Sequence, residues 1–257
     1  MRSAVSLYLF LLITSLVSAQ QLRWSDEFNG PAGSPPDAAK WTYDLGAGGW
    51  GNHELETYTK SPDNIHLDGN GHLVIRATKT SGGYQSARIK TQGLFSFTYR
   101  LVEARMKLPR GPGIWPAFWM LGDDIKSAGW PKCGEIDIME LIGREPLTVH
   151  GTIHGPGYSG AKGISTPFQL KPQANPSEHF HVYAVEWRKD EIRFLVDKKV
   201  YKQITPASLP PNTTWVYDHP MFLLLNLAVG GAWPGNPDAT TKFPQDYVID
   251  WVRVYQQ

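Results

Sequence analysis

Period-two alternation constrains this chain more than any other feature. In LVEARMKLP, Val102, Ala104, Met106 and Leu108 alternate with Glu103, Arg105 and Lys107. In EIRFLVD, Ile192, Phe194 and Val196 alternate with Glu191 and Arg193, and in VYAVEWR, Tyr183, Val185 and Trp187 share a face. In VIDWVRVY, Ile249, Trp251, Arg253 and Tyr255 oppose Val248, Asp250, Val252 and Val254. Side chains two apart share a strand face, so each segment reads as a half-buried antiparallel strand. Turn signals at Asp68-Gly69, Gly82-Gly83 and Asp197-Lys198 punctuate the chain, and sustained helical periodicity is lacking. The expected fold is an all-β, curved antiparallel sandwich of the jelly-roll kind.

One short segment strains this pattern. GEIDIMELIG carries Glu135, Asp137 and Glu140 within six residues of strand-type or apolar neighbours. Strict alternation puts Glu135 and Asp137 on one face and Glu140 on the other. A β-bulge at Ile138–Met139 adds one residue to the strand and returns Glu140 to the face of the other two. Such a face suits a retaining glycosidase, which needs two carboxyl groups about 5–5.5 Å apart, one as nucleophile and one as acid/base. A third carboxylate between them raises the pKa of at least one and keeps an acid protonated. Spacing alone leaves a solvated acidic strand face equally open, and it does not say which glutamate plays which role.

The rest of the chain sets the context. The 25 Lys+Arg and 24 Asp+Glu balance, which excludes nucleic acid or an anionic membrane as the main partner. The start, MRSAVSLYLFLLITSLVSAQQ, has a charged residue, an apolar run from Leu7 to Val17 and a small-x-small end. We expect a cleavable signal peptide at 1–19, cut after Ala19, and a secreted or periplasmic protein. The run is shorter than the about 20 apolar residues that span a bilayer, and no second span follows, so no membrane partner is expected. Residues 20–257 read as a single domain and as a monomer. Cys133 is the sole cysteine, so no intrachain disulfide forms, and it reads as a small buried hydrophobe rather than a nucleophile. Asn212 in NTT fits an N-glycosylation acceptor.

Several blocks in order resemble glycoside hydrolase family 16. These are WSDEFNG, GWGNHELETYT, SARIKTQGLFSF, GIWPAFWML, EIDIME, GTIHG, LNLAVGGAWPG and DYVIDWVRVY, spread over nearly all of the mature chain. EIDIME matches the family signature Glu-x-Asp-x-x-Glu in the form with the extra residue, which resembles the laminarinase branch. The resemblance implies a concave substrate cleft and a retaining endo-β-1,3-glucanase. Glu135 is then nucleophile, Glu140 general acid/base and Asp137 the assisting carboxylate, with no catalytic cofactor. Mixed-linkage β-1,3-1,4-glucan, agarose or carrageenan are alternative substrates within the family. A non-catalytic glucan-binding module is another alternative, although such relatives typically lack the glutamates.

A polysaccharide cleft needs aromatic plates and planar polar groups. Trp115 and Trp119 lie four apart, on one strand face near the carboxylates in sequence, and Trp233 sits on a Gly- and Pro-flanked loop. Asn226 interrupts an apolar run and needs partners if buried. The resemblance adds Asn52 and Arg88 as sugar ligands and His154 as a neighbour of the catalytic glutamates. The family more often carries Gln where Glu56 stands, so Glu56 is left out of the expected site. Asp250 falls on the Val248–Val252 face by alternation, and a buried carboxylate needs a cation or hydrogen bonds. The resemblance implies a structural calcium there, held by Asp250 and by backbone carbonyls at Glu27 and Gly71.

Overall fold

The alternating segments fold as strands, and their apolar faces meet in one core. A computed structural model describes residues 20–256; the leader expected at 1–19 lies outside the described residues. The strands are β1 (Leu22–Asp26), β2 (Thr42–Asp44), β3 (Glu56–Tyr58), β4 (Ile65–Leu67), β5 (Leu73–Thr80), β6 (Gly83–Ser86), β7 (Arg88–Lys90), β8 (Arg100–Lys107) and β9 (Ile114–Gly122). They continue as β10 (Glu135–Leu141), β11 (Thr148–His154), β12 (Ile164–Gln169), β13 (His181–Arg188), β14 (Glu191–Val196), β15 (Lys199–Ile204), β16 (Met221–Val229) and β17 (Gln245–Gln256). Helix is confined, among the described residues, to the single turn α1 (Ile125–Ala128) and four 3-10 turns.

Two sheets form a sandwich. The larger has ten strands in the order β15-β14-β13-β8-β17-β5-β6-β3, with β1 beside β17 and β4 beside β5; the smaller has seven in the order β12-β11-β10-β9-β16-β7-β2. Between them lie the inward residues of each alternation: Val102, Ala104 and Met106 on β8, Tyr183, Val185 and Trp187 on β13, Ile192 and Phe194 on β14. Against these pack Phe118 and Met120 of β9 and Leu223, Leu225 and Leu227 of β16. Each fully buried side chain of this size contributes roughly 1.5–3 kcal/mol, so the core stabilises the chain without a disulfide. Cys133 is part of a small satellite cluster with Leu121, Phe222 and Leu224. Burial pushes its thiol up to about 11, which leaves it unreactive.

The closing strand departs from the expected alternation. Pairing of β17 with β8 shifts between Ile249 and Trp251, so Asp250 sits at a bulge. Upstream of it Tyr247 and Ile249 are buried, and downstream Val252 and Val254 are. Val248 and Val252 therefore do not share a face, and Asp250 is half-buried rather than enclosed. The extra residue resets the two-residue period, which a fixed alternation carried through the segment does not capture.

Candidate active site

β10 lies inside the smaller sheet, between β9 and β11. Along β11, Asp137 pairs with Thr152 and Glu140 with His150, so two residues of β10 face the single Gly151. Along β9, Asp137 pairs with Trp119, Met139 with Phe118 and Glu140 with Ala117, which leaves Ile138 out of the ladder. This is the expected bulge at Ile138–Met139. Its apolar residues turn inward and are buried. Gly151 opposite leaves room for its neighbours; a Cβ there would come 2.4 Å from the Tyr201 hydroxyl and 2.7 Å from the Phe194 ring.

With the register reset, the three carboxyl groups meet on the outer face of the sheet. Ligand atoms of Glu135, Asp137 and His154 lie within 4.8 Å of one another, a spacing that a metal ion could also take. His154 Nε2 is 3.2 Å from Asp137 Oδ2 and 3.8 Å from Glu135 Oε1. Trp130 Nε1 donates to Glu135 Oε2 at 2.7 Å. Trp115 Nε1 donates to Glu140 Oε1 at 3.0 Å, and the Thr152 hydroxyl donates to Glu140 Oε2 at 3.4 Å. Ionic charge is poorly tolerated here, because Asp137 is 3% exposed and Glu140 8%. Burial first and Asp137 second push Glu135 up to about 8, while His154 and Trp130 pull it back. Burial pushes Asp137 up to about 7 and Glu140 well above the usual carboxylate range. The cluster therefore keeps at least one proton at neutral pH, and its ionisations belong to the group rather than to single residues.

The aromatic residues expected in a cleft lie on this face, and the indole N–H groups of Trp115 and Trp119 are already engaged. Trp115 stands against Trp233, with ring centroids 5.5 Å apart and edge to face, and Trp233 also meets the His150 ring at 5.1 Å. Arg144 Nη1 donates to the carbonyls of Trp233 and Pro234 at 2.9 and 2.7 Å and fixes that loop. Trp119 Nε1 donates to Asn226 Oδ1 at 2.7 Å, and Asn226 Nδ2 donates to the Tyr58 hydroxyl at 3.1 Å. Tyr58 in turn donates to Glu54 Oε2 at 3.1 Å, and Asn52 Nδ2 donates to Glu54 Oε1 at 2.9 Å. Arg88 is held between the rings of Trp50 and Trp119, 5.0 and 4.8 Å from their centroids. Its Nε donates to Asp44 Oδ2 at 2.9 Å.

Residues 52–253 match the family model described as Glycosyl hydrolases family 16. The chain belongs to this family. The laminarinase catalytic domain from Thermotoga maritima MSB8 superposes with a TM-score of 0.87 at 46% identity, over 93% of this chain and 98% of that one. The endo-beta-1,3-glucanase from Pyrococcus furiosus does so with a TM-score of 0.86 at 48% identity, over 92% and 94%. A Rhodothermus marinus protein named Beta-glucanase is 42% identical over 92% of this chain and 85% of its own length.

The structure brings together the three carboxylates, expected from spacing and a bulge, and Asn52, Arg88 and His154, expected from the resemblance, and Trp115, Trp119, Asn226 and Trp233 lie with them. Sequence reasoning placed Glu54 beside Asn52 as a further hydroxyl acceptor, whereas it accepts from Asn52 and Tyr58; it missed Trp130, Trp50, Tyr58, Asp44 and Arg144. Trp130 carried one usable signal, a tryptophan five residues before Glu135. The others join the site across long sequence separations, 168 residues for Tyr58 and Asn226.

The residues expected at a calcium lie elsewhere, where β1, the β4–β5 turn and β17 converge. A Cβ on Gly71 would sit 3.6 Å from Asn29 Oδ1 and 4.0 Å from the Glu27 carbonyl oxygen. The Glu27 carboxylate is taken by Arg253, at 3.0 and 2.8 Å. Asp250 Oδ2 pairs with Arg105, and Oδ1 lies 4.0 Å from His72 Nε2. The oxygens left over there are carbonyls, one amide oxygen and Asp250 Oδ1, a donor set of the kind a hard cation takes.

Proposed function

We propose that this protein is an endo-β-1,3-glucanase that works by double displacement with retention of anomeric configuration. The bulged β10, which brings Glu135, Asp137 and Glu140 onto one face, carries this reading. Glu135 attacks the anomeric carbon as its carboxylate, steadied by the Trp130 N–H. Glu140 gives its proton to the departing glycosidic oxygen, so the C–O bond breaks as the ester bond to Glu135 forms. Glu140, now a carboxylate, takes a proton from water, and the resulting hydroxide displaces Glu135 from the sugar. Asp137 keeps the proton on Glu140 by like-charge repulsion, and His154 stands beside Asp137 to balance its charge as the cycle turns. Trp115, Trp119 and Trp233 offer apolar faces to the sugar rings, and Arg88 and Asn52 offer donors to hydroxyls.

A structural calcium belongs to the same reading. The Glu27 and Gly71 carbonyls and Asp250 would hold it, and it would tie the first strand to the last without touching the chemistry. The chain acts outside the cytoplasm, as a monomer, on a polysaccharide.

A reducing-end assay over laminarin, lichenan, agarose and carrageenan, with oligosaccharide profiling, tests the substrate. Rapid internal cleavage of laminarin is expected. Early products with inverted anomers in the NMR spectrum would overturn the mechanism, and cleavage of agarose or carrageenan in preference to laminarin would overturn the substrate.

A further inference from the structure

Behind the sugar-facing residues lies a second pair of carboxyl groups that the chemistry does not use. Glu56 opens β3 and is 1% exposed; Glu54, two residues earlier, is 9% exposed. Glu54 is well supplied with donors, since each of its oxygens accepts one, from Asn52 and from Tyr58. Glu56 is not. Its Oε2 accepts the Val229 N–H at 2.6 Å, while its Oε1 is buried with no partner. The two carboxyls are neighbours, and the Glu54 charge bears on Glu56. Two acceptors without a proton between them would repel, and a buried oxygen without a donor is costly.

Among the described residues, no cation pairs with either carboxyl. The ionisable groups around it are Glu54 on its own segment, the Tyr58 phenol on β3 and Arg88 on β7. Arg88 is itself bound to Asp44 of β2. On β6, Tyr84 and Ser86 pair with β3, and on β16 the facing groups are Asn226 and the Val229 backbone.

We propose that Glu56 is a positioning residue that carries a proton in the working enzyme and donates it, as a hydrogen bond, to Glu54. That one hydrogen supplies the missing donor at Oε1. It also lets Glu54 go on accepting from Asn52 and Tyr58, and through Tyr58 and Asn226 hold the indole of Trp119. Glu56 fixes the neighbouring loop as well, because its carboxyl takes the Val229 N–H and the Leu55 N–H donates to the Val229 carbonyl at 2.7 Å. The loop bearing Trp233 starts there. Burial and the Glu54 charge push Glu56 up to about 8, in keeping with a proton held at neutral pH. Loss of that proton sets two buried charges against each other and loosens the sugar-binding bank while leaving Glu135 and Glu140 in place. The inference deepens the glucanase reading and rests on it for its kinetic part.

The experiment is a pH series on the wild type, Glu56→Gln and Glu56→Leu, from about pH 6 to about pH 9.5. For the wild type, KM for a laminarin oligosaccharide is expected to rise by about tenfold per pH unit above the Glu56 ionisation, separately from the change in kcat. In Glu56→Gln the amide donates to Glu54 at every pH, so KM stays flat to within about twofold. Glu56→Leu raises KM throughout. Melting temperature supplies a readout free of activity, with Glu56→Gln gaining on the wild type as pH rises. The same KM rise in Glu56→Gln and the wild type, or a melting difference that does not widen with pH, would overturn the proposal. If the wild type cleaves no β-1,3-glucan, the glucanase reading fails and the melting series still decides where the proton sits.

Discussion

Trp130→Phe tests whether the nucleophile depends on a donor that lies outside the carboxylate strand. Trp130 Nε1 is 2.7 Å from Glu135 Oε2, and the other oxygen has His154 Nε2 at 3.8 Å. A hydrogen bond to a charged group contributes about 1.5–3 kcal/mol net. Trp130 is 49% exposed, so water competes for the same oxygen and the lower end applies. At 1.36 kcal/mol per pH unit, the first ionisation of the carboxylate cluster should rise by about one unit. Phenylalanine keeps an aromatic ring near His154, whose centroid is 6.2 Å from that of Trp130. Measured as kcat/KM against pH, the acid limb should therefore move up by about one unit. Below the limb the loss is about tenfold, and near the optimum it shrinks. An equal loss at every pH, carried by KM alone, would refute the reasoning and make Trp130 a sugar plate only.

Glu135→Gln and Glu140→Gln should each lower kcat by at least about a thousandfold, and near-normal turnover in both would remove the mechanism. Those variants should melt no lower than the wild type at about pH 8. The folded-state pKa values of Glu135, Asp137 and Glu140 are raised, so their contribution to stability is present below the unfolded carboxylate range. It is lost as pH rises through about 7 to 8. The wild type should accordingly melt higher at about pH 5.5 than at about pH 8.5, and a scan with the opposite slope contradicts the buried cluster. Asp137→Asn removes the like charge that raises both glutamates, so the alkaline limb of kcat/KM should fall by about one unit. Calcium at about a hundred times its Kd stabilises by about 2.7 kcal/mol, or roughly 5–10 °C in melting temperature. Chelator should remove that gain in the wild type and not in Asp250→Asn, and a melting curve indifferent to both calcium and chelator counts against the site.

The sheets were legible because a half-buried strand writes its burial into every second residue, as Tyr183, Val185 and Trp187 do. The carboxylate face was legible for another reason. A bulge belongs to a pair of strands, and GEIDIMELIG has the same residues with or without one. The demand that three carboxylates act together selected the bulged register, and Ile138 indeed drops out of the ladder with β9. The identical device at Asp250 went unread, since no chemistry demanded a shift there. Alternation then sent Asp250 into the core, where it would need a cation or hydrogen bonds, whereas the bulge leaves it half-buried and beside Arg105. Calcium consequently rests on the meeting of the Glu27, Gly71 and Asp250 segments and no longer on burial. Trp115 and Trp119 show the remaining gap. Their face was readable from spacing, but their N–H groups go to Glu140 and Asn226, and the second of those bonds spans 107 residues. A strand pattern says which way a side chain points, while the partner it finds is set by strand order, and strand order is decided by the whole sheet.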